Sequence, residues 1–142
     1  MAAGIKNILV LCTGNSCRSQ MAEGYLRHFA SAQTHVYSAG IETHGLNPHA
    51  VAIMAEDGID IAHHTSNNIS EYYDIPFDLV LTVCDHAQEN CPWFPGRAKR
   101  IHHNFKDPSK LIGTDQERHT AFQQTRDEIK TFCQKLAASH QL

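Results

Sequence analysis

The chain has 142 residues and a formal net charge of −3, with 42% hydrophobic and 19% charged residues. This balance is typical of a single globular domain over residues 1–142, and no basic tract suits a nucleic-acid partner. No apolar run reaches the length of a membrane span, and the chain start lacks the apolar stretch and cleavage site of a signal peptide. We therefore expect a cytoplasmic protein with no membrane partner, and we also expect a monomer.

In the first half of the chain, short apolar runs that are typical of strands alternate with stretches in which apolar residues recur at helical spacing. Residues 5–11 predict a buried strand, residues 19–32 a helix and residues 36–40 a short strand. Asn47 and Pro48 are typical of a helix start, and Gly58 of its end. Residues 63–70 are polar and predict a loop that leads to a short helix.

The second half continues the alternation. Residues 78–83 predict a buried strand and residues 100–105 a final short one. Residues 115–136 predict a helix with one apolar face, formed by Phe122, Ile129, Phe132, Cys133 and Leu136. The pattern predicts a single-domain, three-layer α/β fold, in which helices flank a central four-stranded parallel sheet. Sites in such sheets lie at the carboxyl ends of strands, where Cys12 and Cys84 both fall, so we expect them to face one crevice.

A candidate anion-binding loop links the first predicted strand to the first predicted helix, and consists of Cys12, Thr13, Gly14, Asn15, Ser16, Cys17, Arg18 and Ser19. Backbone N–H groups in the loop and in the first helical turn have no helical partner, so they point at whatever the loop holds. Gly14 permits left-handed backbone angles and close approach to a ligand, and Asn15 tolerates similar angles. Arg18 adds a planar fork of donors that matches a tetrahedral oxyanion.

The same surroundings predict a reactive thiol at Cys12. A helix N-terminus and an arginine lower the pKa of a nearby thiol, so we expect Cys12 to be a thiolate near neutral pH. A nucleophile beneath such a cradle suits attack on phosphate or an ion of the same shape. The alternative is a buried structural cysteine beside a solvated arginine. Cys17 is either a bystander or a back-up thiol, and Cys133 is expected in the core.

Two further cysteines, Cys84 and Cys91, are seven residues apart. On a helix their Cα atoms would be separated by about 10 Å, whereas a disulfide needs about 7 Å or less. A bond between them therefore requires the segment to loop or to unwind. The alternatives are two unrelated thiols, or a zinc site with His86, His102 or His103 that fits no usual ligand spacing.

Asp107 follows the last predicted strand and is restricted by Pro108. Displacement at a tetrahedral oxyanion needs a proton donor for the departing oxygen, and Asp107 is the candidate. On its own, an Asp-Pro pair is more often a simple turn.

Over nearly its whole length the chain resembles the arsenate reductases built on the low-molecular-weight tyrosine phosphatase fold, in particular the thioredoxin-coupled branch. The matching stretches are residues 12–24, residues 37–45, Cys84 with Cys91, Asp107-Pro108 and residues 126–129. The phosphatase branch usually has proline after the serine of the loop, where this chain has Gln20. It usually has tyrosines after the Asp-Pro, where this chain has Ser109 and Lys110.

The resemblance implies a relay of three thiols. Cys12 attacks arsenate held in the loop, and Asp107 protonates the leaving oxygen. Cys84 then attacks Cys12, arsenite leaves, and Cys91 in turn attacks Cys84 by ordinary thiol exchange. The Cys84–Cys91 disulfide is left for thioredoxin, and glutaredoxin or another thiol system is the alternative reductant.

The resemblance implies no bound cofactor, but some similar proteins hold potassium beside the loop. The matching positions are Asn15, Glu23, Ser38 and Thr65. Asn67 stands where a carboxylate would strengthen such a site. A second interpretation is that Glu23 and Ser38 only hydrogen-bond the loop, since buried polar groups usually find partners.

Two other functions compete with arsenate reduction. A phosphatase of the same fold would need Cys12, Arg18 and Asp107 but neither Cys84 nor Cys91. A non-catalytic oxyanion- or redox-sensing module would respond to its ligand even without Asp107.

Overall fold

The computed structural model describes residues 6–89 and 98–142. Four parallel strands form one sheet in the order β2-β1-β3-β4. They are β1 (Lys6–Cys12), β2 (Thr34–Gly40), β3 (Leu79–Thr82) and β4 (Lys99–His102). The helices are α1 (Arg18–Phe29), α2 (Pro48–Glu56), α3 (Asp85–Glu89) and α4 (Asp115–Ser139). Two 3₁₀ helices, Ile69–Tyr72 and Pro108–Lys110, complete the described elements. The predicted fold class is confirmed.

Strand order locates the site. The chain passes from β1 to β2 on one side and then returns to place β3 and β4 on the other. The order therefore reverses between β1 and β3, and a parallel sheet opens a crevice at the carboxyl ends of such strands. Cys12 ends β1 and Cys84 follows β3, so both predicted nucleophiles lie at this crevice.

The core forms where the strands and the apolar faces of the long helices meet. The β1 residues Ile8, Leu9, Val10 and Leu11 are fully buried. On α1 and α4, which contact each other, the buried side chains include Met21, Tyr25, Leu26, Phe122, Ile129, Cys133 and Leu136. The predicted apolar face of α4 is confirmed, with Phe132 partly buried at its margin.

Local signals set several helix ends. The Asn47 side chain accepts hydrogen bonds from the N–H groups of His49 and Ala50, so it caps α2 as predicted. Gly58 follows that helix at φ +78°, a conformation in which glycine has no steric penalty. Thr114 and Glu117 form a capping box at the start of α4.

Several predicted boundaries were wrong. Strand β2 begins at Thr34 rather than residue 36, and helix α4 ends at Ser139 rather than residue 136. Helix α1 ends at Phe29 rather than near residue 32, because Ala30 is already extended at φ −84° and ψ 162°. Strand β4 covers Lys99–His102 rather than residues 100–105. Beyond it the chain still follows β3, since the N–H groups of His103 and Phe105 donate to the carbonyls of Thr82 and Val83. Within residues 6–89 and 98–142, no helix has the length and apolar character needed to cross a bilayer.

Candidate active site

The predicted anion-binding loop lies between β1 and α1, with its carbonyl groups directed outward. The carbonyls of residues 12–16 all accept hydrogen bonds from outside the loop. Their donors are the N–H groups of Ile41, Glu42, His44 and Asn47 and the side-chain amide of Gln20. The N–H groups of residues 14–17 have no acceptor in the described part of the chain. They are therefore available for an anion, and anion binding by the loop stays a prediction.

The backbone that shapes the loop differs from the prediction at Gly14. Asn15, not Gly14, adopts the left-handed conformation, at φ 48°. Gly14 is instead required by crowding, because a Cβ there would lie 2.6 Å from Cγ of the His44 ring. Gly40 has the same role at the end of β2, where a Cβ would lie 2.7 Å from the Thr13 carbonyl oxygen.

Arg18 and Asp107 come together at the loop. One guanidinium nitrogen of Arg18 donates to the Phe105 carbonyl at 3.0 Å, and another lies 3.5 Å from a carboxylate oxygen of Asp107. The second oxygen of Asp107 accepts from the Ser109 hydroxyl at 2.6 Å and its N–H at 3.0 Å. Arg18, Asp107 and Ser109 line a cavity of about 160 Å³ above the loop. The other lining residues are Cys12, Thr13, Gly14, Ser16, Cys17, His44 and Lys110. The cavity is small enough to suit an inorganic oxyanion.

Replacing Arg18 with lysine should raise the dissociation constant for phosphate or arsenate by about 10- to 100-fold, the effect of losing one charge-assisted hydrogen bond. Lysine is a point charge, so it cannot bond Phe105 and also present a fork to the ion. Isothermal titration calorimetry measures the change. Arg118→Lys on α4, outside the cavity, is the control, and equal affinity in the two variants would contradict the role of Arg18.

Cys84 lies against the loop, as the position of both thiols at strand ends predicts. Its sulfur is 3.2 Å from the Thr13 hydroxyl oxygen and accepts the Ala87 N–H at 3.4 Å. Cys12 and Cys84 are each 3% exposed. The second sulfur is therefore buried against the residue that follows Cys12.

The expected pKa of Cys12 was wrong for the ligand-free protein. A hydrogen bond with Cys84 and burial raise the pKa of Cys12, and they outweigh the opposing effect of Arg18. The same Cys12 hydrogen bond, with the donors Thr13 and Ala87, lowers the pKa of Cys84 to about 5 although burial opposes it. The two pKa values are shifted in opposite directions, which favours a single thiolate in the pair, on Cys84 rather than on Cys12.

The ultraviolet absorbance of thiolate should therefore show a transition near pH 5 in the ligand-free protein. A lowered pKa means that the thiolate is present above that pH and is lost as the pH falls through it. Replacing Cys84 with serine should remove the transition. Replacing Cys12 with alanine should move it upward, because Cys84 then loses a donor. A transition that survives in Cys84→Ser would place the thiolate elsewhere.

Some contacting residues were missed by the sequence interpretation. His102 bonds the Asp85 carboxylate and the Thr82 hydroxyl, each at 2.7 Å. The Asn104 side chain accepts the Asp85 N–H at 3.1 Å. The register between β3 and β4 pairs Thr82 with His102. A prediction of this register would have found the contact between them. These bonds anchor the residue that follows Cys84.

The four positions that the resemblance implies for potassium lie together behind the loop. Asn15 donates to Ser38 at 2.9 Å and Ser38 to Glu23 at 2.6 Å. The hydroxyl and the carbonyl of Thr65 are both already hydrogen-bonded to amide side chains. Glu23, the single carboxylate among the four, accepts from Arg27 at 2.8 Å. These oxygens are thus already hydrogen-bonded to protein groups, and the potassium site stays a prediction.

The remaining cysteines have different positions. Cys17 lines the cavity with its thiol buried, which raises its pKa to about 12. Cys133 is fully buried on α4, as predicted. Cys91 lies outside the described residues, so its place in the relay stays a prediction.

A parallel sheet thus presents Cys12 at the base of an anion-binding loop. This combination of fold and loop is typical of phosphatase-type proteins.

Comparison with known proteins identifies the family. The low molecular weight phosphotyrosine protein phosphatase model matches residues 7–142, and the chain belongs to this family. An arsenate reductase from Halalkalibacterium halodurans is 50% identical over 133 residues, covering 91% of this chain and 96% of that protein.

Solved structures agree. An arsenate reductase in the phosphate binding state superposes with a TM-score of 0.75 at 29% identity, covering 94% of this chain and 98% of that one. A thioredoxin-dependent arsenate reductase from Corynebacterium glutamicum gives a TM-score of 0.76 at 25% identity, covering 99% of this chain and 64% of that one.

Proposed function

We propose that the protein reduces arsenate to arsenite in the loop above Cys12. The observation that carries this proposal is the second buried sulfur, Cys84, held beside the loop with a lowered pKa. Hydrolysis of a phosphate ester needs one thiol. Reduction of arsenate needs two electrons, which two thiols supply when they form a disulfide. The relatives that are about 50% identical bear the name arsenate reductase.

The first step joins Cys12 to arsenic. The sulfur attacks arsenate while the N–H groups of residues 14–17 and Arg18 hold the oxyanion. The bound arsenate dianion accepts the Cys12 proton as the sulfur attacks arsenic. Asp107 relays this proton to one arsenate hydroxyl, which leaves as water, so that no further proton is consumed.

The second step uses Cys84, whose lowered pKa favours the thiolate. Cys84 attacks the Cys12 sulfur, the arsenic–sulfur bond breaks, and its electron pair leaves on arsenic as arsenite. Cys91 then displaces Cys12 from the Cys12–Cys84 disulfide, which leaves Cys84–Cys91 oxidised.

Thioredoxin is the proposed reductant of that disulfide, and the protein is proposed to act in the cytoplasm, where such reductants operate. The thioredoxin-dependent structural neighbour supports this choice. Glutaredoxin with glutathione is the alternative.

A coupled assay tests the proposal with purified protein, thioredoxin, thioredoxin reductase and NADPH. NADPH oxidation should depend on arsenate and should be lost in Cys84→Ser. Oxidation that requires glutaredoxin and glutathione would keep the reaction and replace the partner. No oxidation with either system would overturn the proposal.

Phosphomonoester hydrolysis is the second candidate, because Cys12, Arg18 and Asp107 suffice for it. We expect weak hydrolysis of a small aryl phosphate that survives in Cys84→Ser. Ser109 and Lys110, where the phosphatase branch usually has tyrosines, offer no aromatic wall for such a substrate. Hydrolysis without any reductase activity would make this the main function.

A further inference from the structure

A chain of hydrogen bonds connects the anion-binding loop to a surface arginine. It begins at Asn15, the loop residue with positive φ, and passes through the Ser38 hydroxyl to one oxygen of the Glu23 carboxylate. The other oxygen of Glu23 accepts the Arg27 Nε–H at 2.8 Å. Arg27 also donates to the Val36 carbonyl. The guanidinium is thus bonded to both α1 and β2.

Glu23 needs a positive partner at this place. The residue is 7% exposed, and a buried carboxylate without a compensating charge is strongly destabilising. His64 approaches the same oxygen at 3.6 Å. Burial lowers the pKa of His64, which favours its neutral form and leaves Arg27 as the compensating charge.

The oxygens around Glu23 are already hydrogen-bonded to protein groups. The Asn15 side-chain oxygen accepts the Asn67 N–H at 2.7 Å, and the Thr65 hydroxyl donates to Asn67 at the same distance. Asn67 itself adds no charge. A potassium ion bound to these oxygens would lie close to the guanidinium of Arg27, whose positive charge opposes it.

We propose that Arg27 is a positioning residue that serves as a built-in cation for the loop. Its guanidinium neutralises Glu23, Glu23 orients Ser38, and Ser38 fixes Asn15, so the loop keeps its anion-binding shape without a bound monovalent ion. The proposal concerns oxyanion binding and is independent of the reductase activity.

The test compares wild type, Arg27→Met and Arg27→Lys in potassium chloride and in tetramethylammonium chloride of equal ionic strength. Calorimetry gives the dissociation constant for inorganic phosphate, and thermal unfolding gives the midpoint. Wild type and Arg27→Lys should give the same values in both salts. Arg27→Met should bind phosphate about tenfold more weakly in tetramethylammonium, and potassium should restore much of the loss.

A second pair of variants separates this role from general surface packing. In a Glu23→Gln background, which removes the charge to be neutralised, adding Arg27→Met should cause no further loss. Lys135→Met on α4 is the control for loss of an exposed cation. Potassium-dependent phosphate binding by wild type would overturn the proposal. So would an Arg27→Met variant equal to wild type in tetramethylammonium, or additive losses in the double variant.

Discussion

Replacing Cys84 with serine is expected to abolish repeated turnover of arsenate, with a residual rate below about one thousandth of wild type, the scale of losing an essential nucleophile. Serine cannot form a disulfide, so the arsenic bound to Cys12 would not receive its electron pair. Phosphate binding should persist, because the N–H groups of residues 14–17 and Arg18 are unchanged. Arsenite release and phosphate affinity measure the two effects separately.

Cys91→Ser is the matched control for this prediction. Both variants should fail in the coupled assay, but they should differ in a single turnover without reductant. Cys91→Ser should release one arsenite per protein and stop at the Cys12–Cys84 disulfide, whereas Cys84→Ser should release none. Mass spectrometry after alkylation identifies the trapped bond. Full turnover by Cys91→Ser with thioredoxin alone would refute the third step.

The strands and their parallel pairing follow from patterns in the sequence. The fully apolar run of β1 is typical of a central strand, and alternation with helices predicts parallel pairing. Strand β4 was harder, because Lys99 and Arg100 are exposed at the edge and form no apolar run. Its extent is set by pairing with β3, which no local pattern encodes.

The candidate site also has parts that could be predicted from the sequence and parts that could not. The loop, Arg18 and Asp107 could be predicted because each belongs to a motif with its own chemistry. The opposite pKa shifts of Cys12 and Cys84 could not, because they depend on how closely two distant segments approach. The pairing of Glu23 with Arg27 was available, since residues four apart on a helix are neighbours. The connection of this pair to the loop was not, because it passes through Ser38 and Asn15, which are distant in sequence.

Replacing Asp107 with asparagine should lower kcat for arsenate reduction by about 100-fold or more, the usual cost of removing a general acid. Asparagine keeps the size of the side chain but cannot donate a proton to the departing oxygen. Because the substitution also removes a negative charge 3.5 Å from Arg18, oxyanion binding should be unchanged or tighter. The signature is therefore a fall in kcat without a rise in KM.

Ser109→Ala tests whether the carboxylate must also be held in place. The Ser109 hydroxyl bonds Asp107 at 2.6 Å, while the Ser109 N–H bonds it independently, so the alanine variant keeps one of two supports. We expect a loss of about threefold to tenfold in kcat, the scale of one hydrogen bond, well short of that in Asp107→Asn. Stopped-flow measurement of the first arsenite released isolates the step. If Asp107→Asn left that rate unchanged, water or another group in the cavity would have to protonate the leaving oxygen, and Asp107 would serve only to orient Arg18.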